Sequence, residues 1–270
     1  MIPAGRQFFK MSGSGNDFVF VDARSEAPGK LAEPAVVSAV CGRGTGVGAD
    51  GIVFLEGSGV GAVKMTYLNA DGSRAMCGNA ALCATRLSIE LGAAKASGFV
   101  LETDSGPLDV RQTSQLPEID LAAARDVRQS IEVPLGRGER RIGFADTGVP
   151  HLVIECDDVA LVDVVGRGRP LRSLRSLRDG ANVNFVSRDR DGWRMRTYER
   201  GVEAETLACG TGAVAIAILL KEWGAAGNET TLITRSGRPL TVRLERRGDC
   251  WHPTLCGEAR IVFVGELGEY

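Results

Sequence analysis

Two cysteines sit in the same local setting, 132 residues apart (77 to 209). Cys77-Gly78-Asn79 and Cys209-Gly210-Thr211 each end a polar loop and open an apolar stretch, Ala80 to Leu91 in one copy and Gly212 to Trp223 in the other. Both stretches are rich in Ala, Leu and Ile and stop at Gly92 and Gly224, which predicts two helices with glycine stops. A helix N-terminus presents unpaired N–H groups and about half a positive charge. That setting lowers the pKa of a thiol, and the same N–H groups can hold a carboxylate. Each copy therefore offers a thiol acid–base group beside an anion cradle. A single cysteine of this kind reads as a small buried filler. Two copies allow more: if they converge on one carbon, a thiolate on one face removes a proton and a thiol on the opposite face returns one. The centre is then inverted.

Further candidates surround the two motifs. Glu199-Arg200 come shortly before Cys209. The Arg can clamp a carboxylate in bidentate fashion and the Glu can accept from an ammonium group. Asn69 and Asn182 supply neutral polar groups for the same ligand. The opening Met11-Ser12-Gly13-Ser14-Gly15-Asn16-Asp17-Phe18 contains G-x-G, but β-type residues follow it, so it reads as a tight turn that offers Asn16 and not as a dinucleotide loop. Gly42 to Gly51 is a second flexible loop without a phosphate-loop ending. His151 follows the turn Gly148-Val149-Pro150 and is placed to orient or titrate near Glu199. Cys83 falls inside the first helix as a packed core thiol, and Cys41, Cys156, Cys250 and Cys256 read as structural.

The elements that must position these residues form an internal repeat. Before each cysteine lies a strand-like run, Val63 to Tyr67 and Trp193 to Tyr198. After each helix comes a related stretch, Thr103-Asp104-Ser105-Gly106 and Thr234-Arg235-Ser236-Gly237. The unit reads strand, polar loop, Cys-Gly-polar, helix, glycine stop, strand. Further β-type runs at 18–21, 52–55, 99–102, 108–111, 151–155, 183–187, 240–244 and 260–264 are punctuated by Gly, Asp and Asn. This predicts a mixed α/β (α+β) protein with one central helix per half. The chain divides into residues 1–117, carrying Cys77, and 118–270, carrying Cys209, with the last ten or so residues able to return to the first half. The junction is expected in the polar stretch 113–117. Gly166 to Arg178, with repeated Arg, Ser and Leu, is expected to be a solvated helix.

Composition narrows the function classes. Among 270 residues, 44% are hydrophobic and 24% charged, with a net charge of -2. This is a globular balance, without the basic excess of a nucleic-acid binder. Gly stands at 35 residues, an excess that points to many tight turns. The longest apolar run, Ala213 to Leu220, is too short to span a bilayer, and the start has no apolar core of an export signal. Neither nucleic acid nor membrane is expected as a partner. Seven Cys without a C-x-x-C fit a reducing cytoplasm, and with only two His a metal site is not expected.

The motifs together resemble one family, the diaminopimelate epimerases, nearly end to end. The resemblance is carried by Gly13-Ser14-Gly15-Asn16-Asp17-Phe18, Gly48-Ala49-Asp50-Gly51, Asn69-Ala70-Asp71-Gly72-Ser73 leading to Cys77-Gly78-Asn79, Pro150-His151, Asn182-Val183-Asn184-Phe185, and Glu199-Arg200-Gly201 leading to Thr206-Leu207-Ala208-Cys209-Gly210-Thr211-Gly212. It implies two pseudo-symmetric α/β domains, each a β-barrel-like sheet wrapped around a central helix, with the active site in the interdomain cleft. It implies Cys209 and Cys77 as the acid–base pair, assisted by His151 and Glu199. Gly78, Asn79, Gly210 and Thr211 would hold the α-carboxylate, and Asn16, Asn69, Asn182, Glu199 and Arg200 the remaining amine and carboxylate groups. The substrate would be LL-2,6-diaminoheptanedioate, converted to the meso form in lysine and peptidoglycan-precursor synthesis, without cofactor and in a homodimer. The chain departs from the family pattern at Ala80 and Leu82, where Gly and Arg are common, at Val149 in place of Asn, and at Gly51 where some members carry Gln. An epimerase of another amino acid and a non-catalytic small-anion binder on the same scaffold are the alternatives.

Overall fold

The computed structural model describes residues 5–113, 116–177 and 179–268. Residues 114 and 115 of the expected junction, Arg178 of the expected helix, and the first four residues lie outside the described residues. The chain forms two compact units, Met1–Ile119 with Gly257–Tyr270, and Asp120–Cys256.

The first unit contains β1 (Arg6–Gly13), β2 (Asn16–Asp22), α1 (Pro34–Cys41), β3 (Gly51–Gly57), β4 (Ala62–Asn69), α2 (Gly78–Glu90), β5 (Phe99–Thr103), β6 (Gly106–Thr113) and β7 (Leu116–Asp120). The second contains β8 (Arg125–Arg128), β9 (Glu139–Asp146), β10 (Pro150–Cys156), α3 (Val164–Arg172), β11 (Asn182–Asp189), β12 (Gly192–Glu199), β13 (Ala204–Thr206), α4 (Gly210–Glu222), β14 (Glu229–Ile233), β15 (Pro239–Arg247) and β16 (Cys250–Gly257). The last strand, β17 (Arg260–Leu267), returns to the first unit and pairs antiparallel with β1. Every β-type run expected from sequence lies within one of these strands.

The two units repeat one pairing scheme. In the first, β2 and β3 are parallel, β3 and β4 antiparallel, β4 and β5 parallel, and β5 and β6 antiparallel. In the second, β10–β11, β11–β12, β12–β14 and β14–β15 follow the same sequence of directions. Parallel neighbours need a crossover, and a helix fills each: α1 and α2 in the first unit, α3 and α4 in the second. The registers also correspond. Phe18 pairs with Gly51, Ile52 with Leu68, and Val53 with Tyr67. In the second unit His151 pairs with Asn182, Val183 with Tyr198, and Asn184 with Thr197.

Alternation along the strands assigns the two faces of each sheet. Ile52, Phe54, Val19 and Val21 pack with Val37 and Val40 of α1. Val183, Phe185 and Leu152 pack with Val164 and Leu171 of α3. The intervening strand residues face the second helix. That helix is buried along most of its length: every residue from Ala213 to Leu220 in α4 has no exposed surface, and Ala80 to Ala84 in α2 likewise. α4 touches β9, β10, β11, β14 and β15, and α2 touches β1, β2, β3, β4 and β6, so each sheet curves around its own helix.

One sequence expectation is corrected. The Arg-rich segment is not a solvated helix over 166–178. Its helix, α3, spans Val164–Arg172 and buries Val164, Gly168 and Leu171. Gly168 lies against Tyr198, where a Cβ would stand 2.6 Å from that residue's own Cβ. The arginines alternate with the buried positions at helical spacing, and composition alone hides this half-buried face. Among the described residues no helix is long and apolar enough to cross a membrane.

Candidate active site

Cys77 belongs to the first unit and Cys209 to the second. Each is the N-cap of its unit's central helix, with nearly the same extended backbone: φ -134°, ψ 119° at Cys77 and φ -141°, ψ 109° at Cys209. Neither side chain caps its helix by a hydrogen bond. The first-turn N–H groups at Gly78 and Asn79, and at Gly210 and Thr211, therefore keep the orphan character of a helix start. Each cysteine contributes its carbonyl to the helix instead, accepting from Ala81 at 3.0 Å and from Ala213 at 2.9 Å. Cys209 is 7% exposed, and its Sγ lies 3.6 Å from Thr211 Oγ1. Three thiols away from the two helix starts are held protonated by burial. Burial pushes Cys41 up to about 11 and Cys156 up to about 12. Cys83, with no exposed surface, is pushed up further still, again by burial. These stay protonated and inert.

In the first unit the turn between β1 and β2, with Ser14 and Gly15 at positive φ, returns the chain so that Asn16 meets α2. Asn79 Nδ2 donates to Asn16 Oδ1 at 2.7 Å, and Asn16 Nδ2 donates to Asp50 Oδ2 at 2.9 Å. Arg43 donates to Asp50 Oδ1 at 2.8 Å and to Asp17 Oδ1 at 2.6 Å, and Lys10 to Asp17 Oδ2 at 2.6 Å. Burial alone would raise the Asp17 carboxyl, but hydrogen bonds from Arg43 and Lys10 outweigh it and hold it below the usual range. A carboxylate can only accept, so Asp50 fixes which end of the Asn16 amide faces it. Asn16 in turn fixes Asn79. Asn69 ends β4, where its Nδ2 donates to Ser73 Oγ at 3.0 Å.

In the second unit four sequence candidates gather at one end of the β10–β11–β12 strands. His151 and Asn182 are register partners, and Asn182 Oδ1 accepts from the Arg200 backbone N–H at 2.8 Å. Glu199 closes β12, and the Arg200 guanidinium reaches the Asp179 carbonyl at 2.6 Å. His151 has no exposed surface. Burial, with the nearby Arg200 charge, pushes its imidazole down to about 3, so it is neutral at ordinary pH.

Sequence reasoning missed two kinds of residue here. Asp50, with Arg43 behind it, sets the polarity of the Asn16–Asn79 pair. Asn184, with no exposed surface, bonds to His151. The signal for Asn184 was present: a lone amide between Val183 and Phe185 must, by alternation, face the central helix.

The departures from the family pattern also find places. A Cβ at Gly51 would run into the Leu68 carbonyl and stand 2.5 Å from the Tyr67 ring, so no larger residue fits there as the chain stands. A Cβ at Gly212 would run into Asn184 Oδ1. Its counterpart three residues after Cys77, Ala80, carries its methyl group fully buried.

Known proteins match this chain along nearly its full length. A family profile described as diaminopimelate epimerase matches residues 8–122 and 143–262. A diaminopimelate epimerase from Gemmatimonas aurantiaca is 48% identical over 96% of this chain and 98% of its own, and one from Archaeoglobus fulgidus is 37% identical over 96% and 95%. Among solved structures, a Bacillus anthracis phenazine biosynthesis protein of the PhzF family shares the fold, with TM-score 0.76 and 14% identity over 98% of this chain and 99% of that one. A hydroxyproline epimerase from Agrobacterium vitis does so with TM-score 0.68 and 16% identity over 98% and 91%. With a thiol at the head of each buried helix and relatives this similar along nearly the full length, the chain belongs to the diaminopimelate epimerase family of isomerases.

Proposed function

We propose that this chain interconverts LL-2,6-diaminoheptanedioate and meso-2,6-diaminoheptanedioate by a two-thiol mechanism that needs no pyridoxal or other cofactor. The observation that carries the reading is the matched placement of Cys77 and Cys209 as N-caps of the two buried helices. Cys209, as thiolate, takes the α-proton of the LL substrate. The electron pair left behind moves into the α-carboxylate. Cys77, as thiol, delivers its proton to the opposite face of the same carbon, and the roles exchange in reverse. The reading requires both sulfurs to reach that one carbon.

An amino-acid α-hydrogen is very weakly acidic, and general acid–base catalysis contributes only about 10²–10⁴-fold. The larger share must come from donors aimed at the charge that develops on the carboxylate. The first-turn N–H groups at Gly78, Asn79, Gly210 and Thr211 are suited to that task. A water-excluding site strengthens them. Asn16, Asn69, Asn182, Glu199 and Arg200 bind the remaining ammonium and carboxylate groups. The five lysines, Lys10, Lys30, Lys64, Lys95 and Lys221, lie outside both cysteine motifs. The reducing cytoplasm, where both thiols persist, is the proposed compartment, and a homodimer the proposed assembly, which light scattering on the purified protein checks.

The test is incubation of the reduced protein with LL-diaminoheptanedioate in deuterium oxide, with nothing added. Deuterium should enter the α-position as the meso isomer appears. Absence of exchange rejects the reading, and exchange with other amino acids only moves the assignment to a different substrate.

A further inference from the structure

The second unit buries a polar triad where the first is mostly apolar. His151 and Asn184 have no exposed surface and Thr197 is 2% exposed. By register their counterparts in the first unit are Phe18, Val53 and Tyr67. Phe18 and Tyr67 pack edge to face with centroids 5.8 Å apart. The scaffold therefore folds without an imidazole or amide at these places. Burying such groups costs free energy that only their hydrogen bonds offset.

Those hydrogen bonds select one tautomer of the imidazole. Asn184 presents its amide to the Leu152 carbonyl oxygen at 2.9 Å. Only the NH₂ end of an amide can face a carbonyl, so the backbone decides which way Asn184 points. The same nitrogen stands 3.0 Å from His151 Nδ1. Nδ1 must then accept, and it carries no proton. Asn184 Oδ1 accepts from Thr197 Oγ1 at 2.9 Å, which fixes the other end. The absent side chain of Gly212 leaves the space this oxygen needs under the first turn of α4, and a Cβ there would also lie 3.2 Å from Cys209 Sγ. The amide is thus clamped between three strands and the helix start that carries the thiol. A neutral His151 with Nδ1 bare holds its proton on Nε2, an atom that is buried and has no hydrogen-bond partner among the described residues.

We infer that Asn184 is a positioning residue that holds His151 as the Nε2–H tautomer, so that His151 acts as a hydrogen-bond donor to an anionic atom of the reacting site and not as the base that takes a thiol proton. The role in catalysis rests on the two-thiol reading above, while the tautomer does not depend on it.

The experiment is nitrogen NMR on protein labelled at histidine, with His151→Phe used to separate its signals from those of His252. Between pH 6 and 8, His151 should show an unprotonated Nδ1 and a protonated Nε2, without change over the range. A bare Nε2, or two averaged nitrogens, overturns the inference whether or not the protein epimerises anything. The second arm is Asn184→Asp, whose carboxylate beside Nδ1 draws the proton to that atom. In this variant the tautomer should reverse, and kcat for diaminoheptanedioate should fall at least tenfold while KM changes less than threefold. A reversed tautomer with unchanged kcat overturns the donor role. If Asn184→Asp does not fold, the wild-type spectrum decides alone. If the wild type is inactive on diaminoheptanedioate, the substrate assignment fails and the spectrum still decides the tautomer.

Discussion

Replacing His151 by Phe should flatten the acid limb of the stability curve. The substitution is suggested by the fold itself, since Phe18 fills the corresponding place in the first unit. In the folded protein burial pushes the His151 imidazole down to about 3, from an ordinary value of 6.5. As the pH falls, the unfolded chain therefore takes up a proton at this residue while the folded chain does not. Stability is unaffected above about pH 6.5, is lost progressively below it, and the loss levels off near pH 3. Each pH unit in that window costs about 1.4 kcal/mol. Between pH 6.5 and 5 the loss is about 2 kcal/mol, and the full effect is roughly 5 kcal/mol. With a urea dependence of about 2–3 kcal/mol per molar, the first figure is a midpoint shift of roughly 1 M. Urea titrations of wild type and His151→Phe at pH 7, 6, 5.5 and 5 measure it. Carboxylates that titrate over the same range contribute to both proteins and cancel in the difference. The gap between the two midpoints should change steadily in favour of the variant as pH drops. Parallel curves would mean that His151 is not held neutral by its surroundings.

Three further outcomes follow from the site. Cys77→Ser and Cys209→Ser should each slow epimerisation by about 10²–10⁴-fold, followed as loss of deuterium uptake, and wild-type turnover by either variant removes the thiols from the mechanism. Gly212→Ala should lower stability by about 1–3 kcal/mol through overpacking against Asn184. In Ala80→Gly the loss is about 1 kcal/mol from helix propensity, and equal melting temperatures for Gly212→Ala and wild type contradict the close approach. Asn16→Leu strips the acceptor from Asn79 and the donor from Asp50, which should cost about 1–3 kcal/mol and raise KM, and a steady-state and melting comparison reads both.

The fold and the thiols were legible in the sequence because they leave local or periodic traces. The two helices announce themselves through Ala and Leu content and a closing glycine, and the motif Cys-Gly-polar marks where each begins. The observed starts, Gly78 and Gly210, fall two residues earlier than expected, because the cysteine itself is the cap. The strands could be read from β-branched runs, but their partners could not. Whether β2 pairs with β3 or β10 with β11 depends on contacts between distant residues, which no window of sequence contains. For the same reason the supports of the site stayed hidden. Asp50 matters because it lies beside Asn16, and Asn184 because Leu152 lies beside it. The Arg-rich segment misled for the opposite reason: its composition is that of a surface, while Gly168 and Leu171 turn one face inward.

The unlike contents of two otherwise matched registers bear on the direction of turnover. Epimerisation relates two substrates that differ only in handedness at one centre, and a duplicated fold invites the expectation that forward and reverse steps are equivalent. At the positions of Phe18, Val53 and Tyr67 one repeat is mostly apolar. Around His151 the other is wired with oriented dipoles. Under the proposed two-thiol mechanism, proton loss to one sulfur and proton loss to the other would proceed in dissimilar fields, and the solvent isotope effect measured from the LL isomer need not equal that from the meso isomer. Kinetic handedness of this sort originates in the polypeptide, whose two units share a strand-pairing plan but set different side chains at its matched positions, His151, Asn184 and Thr197 against Phe18, Val53 and Tyr67.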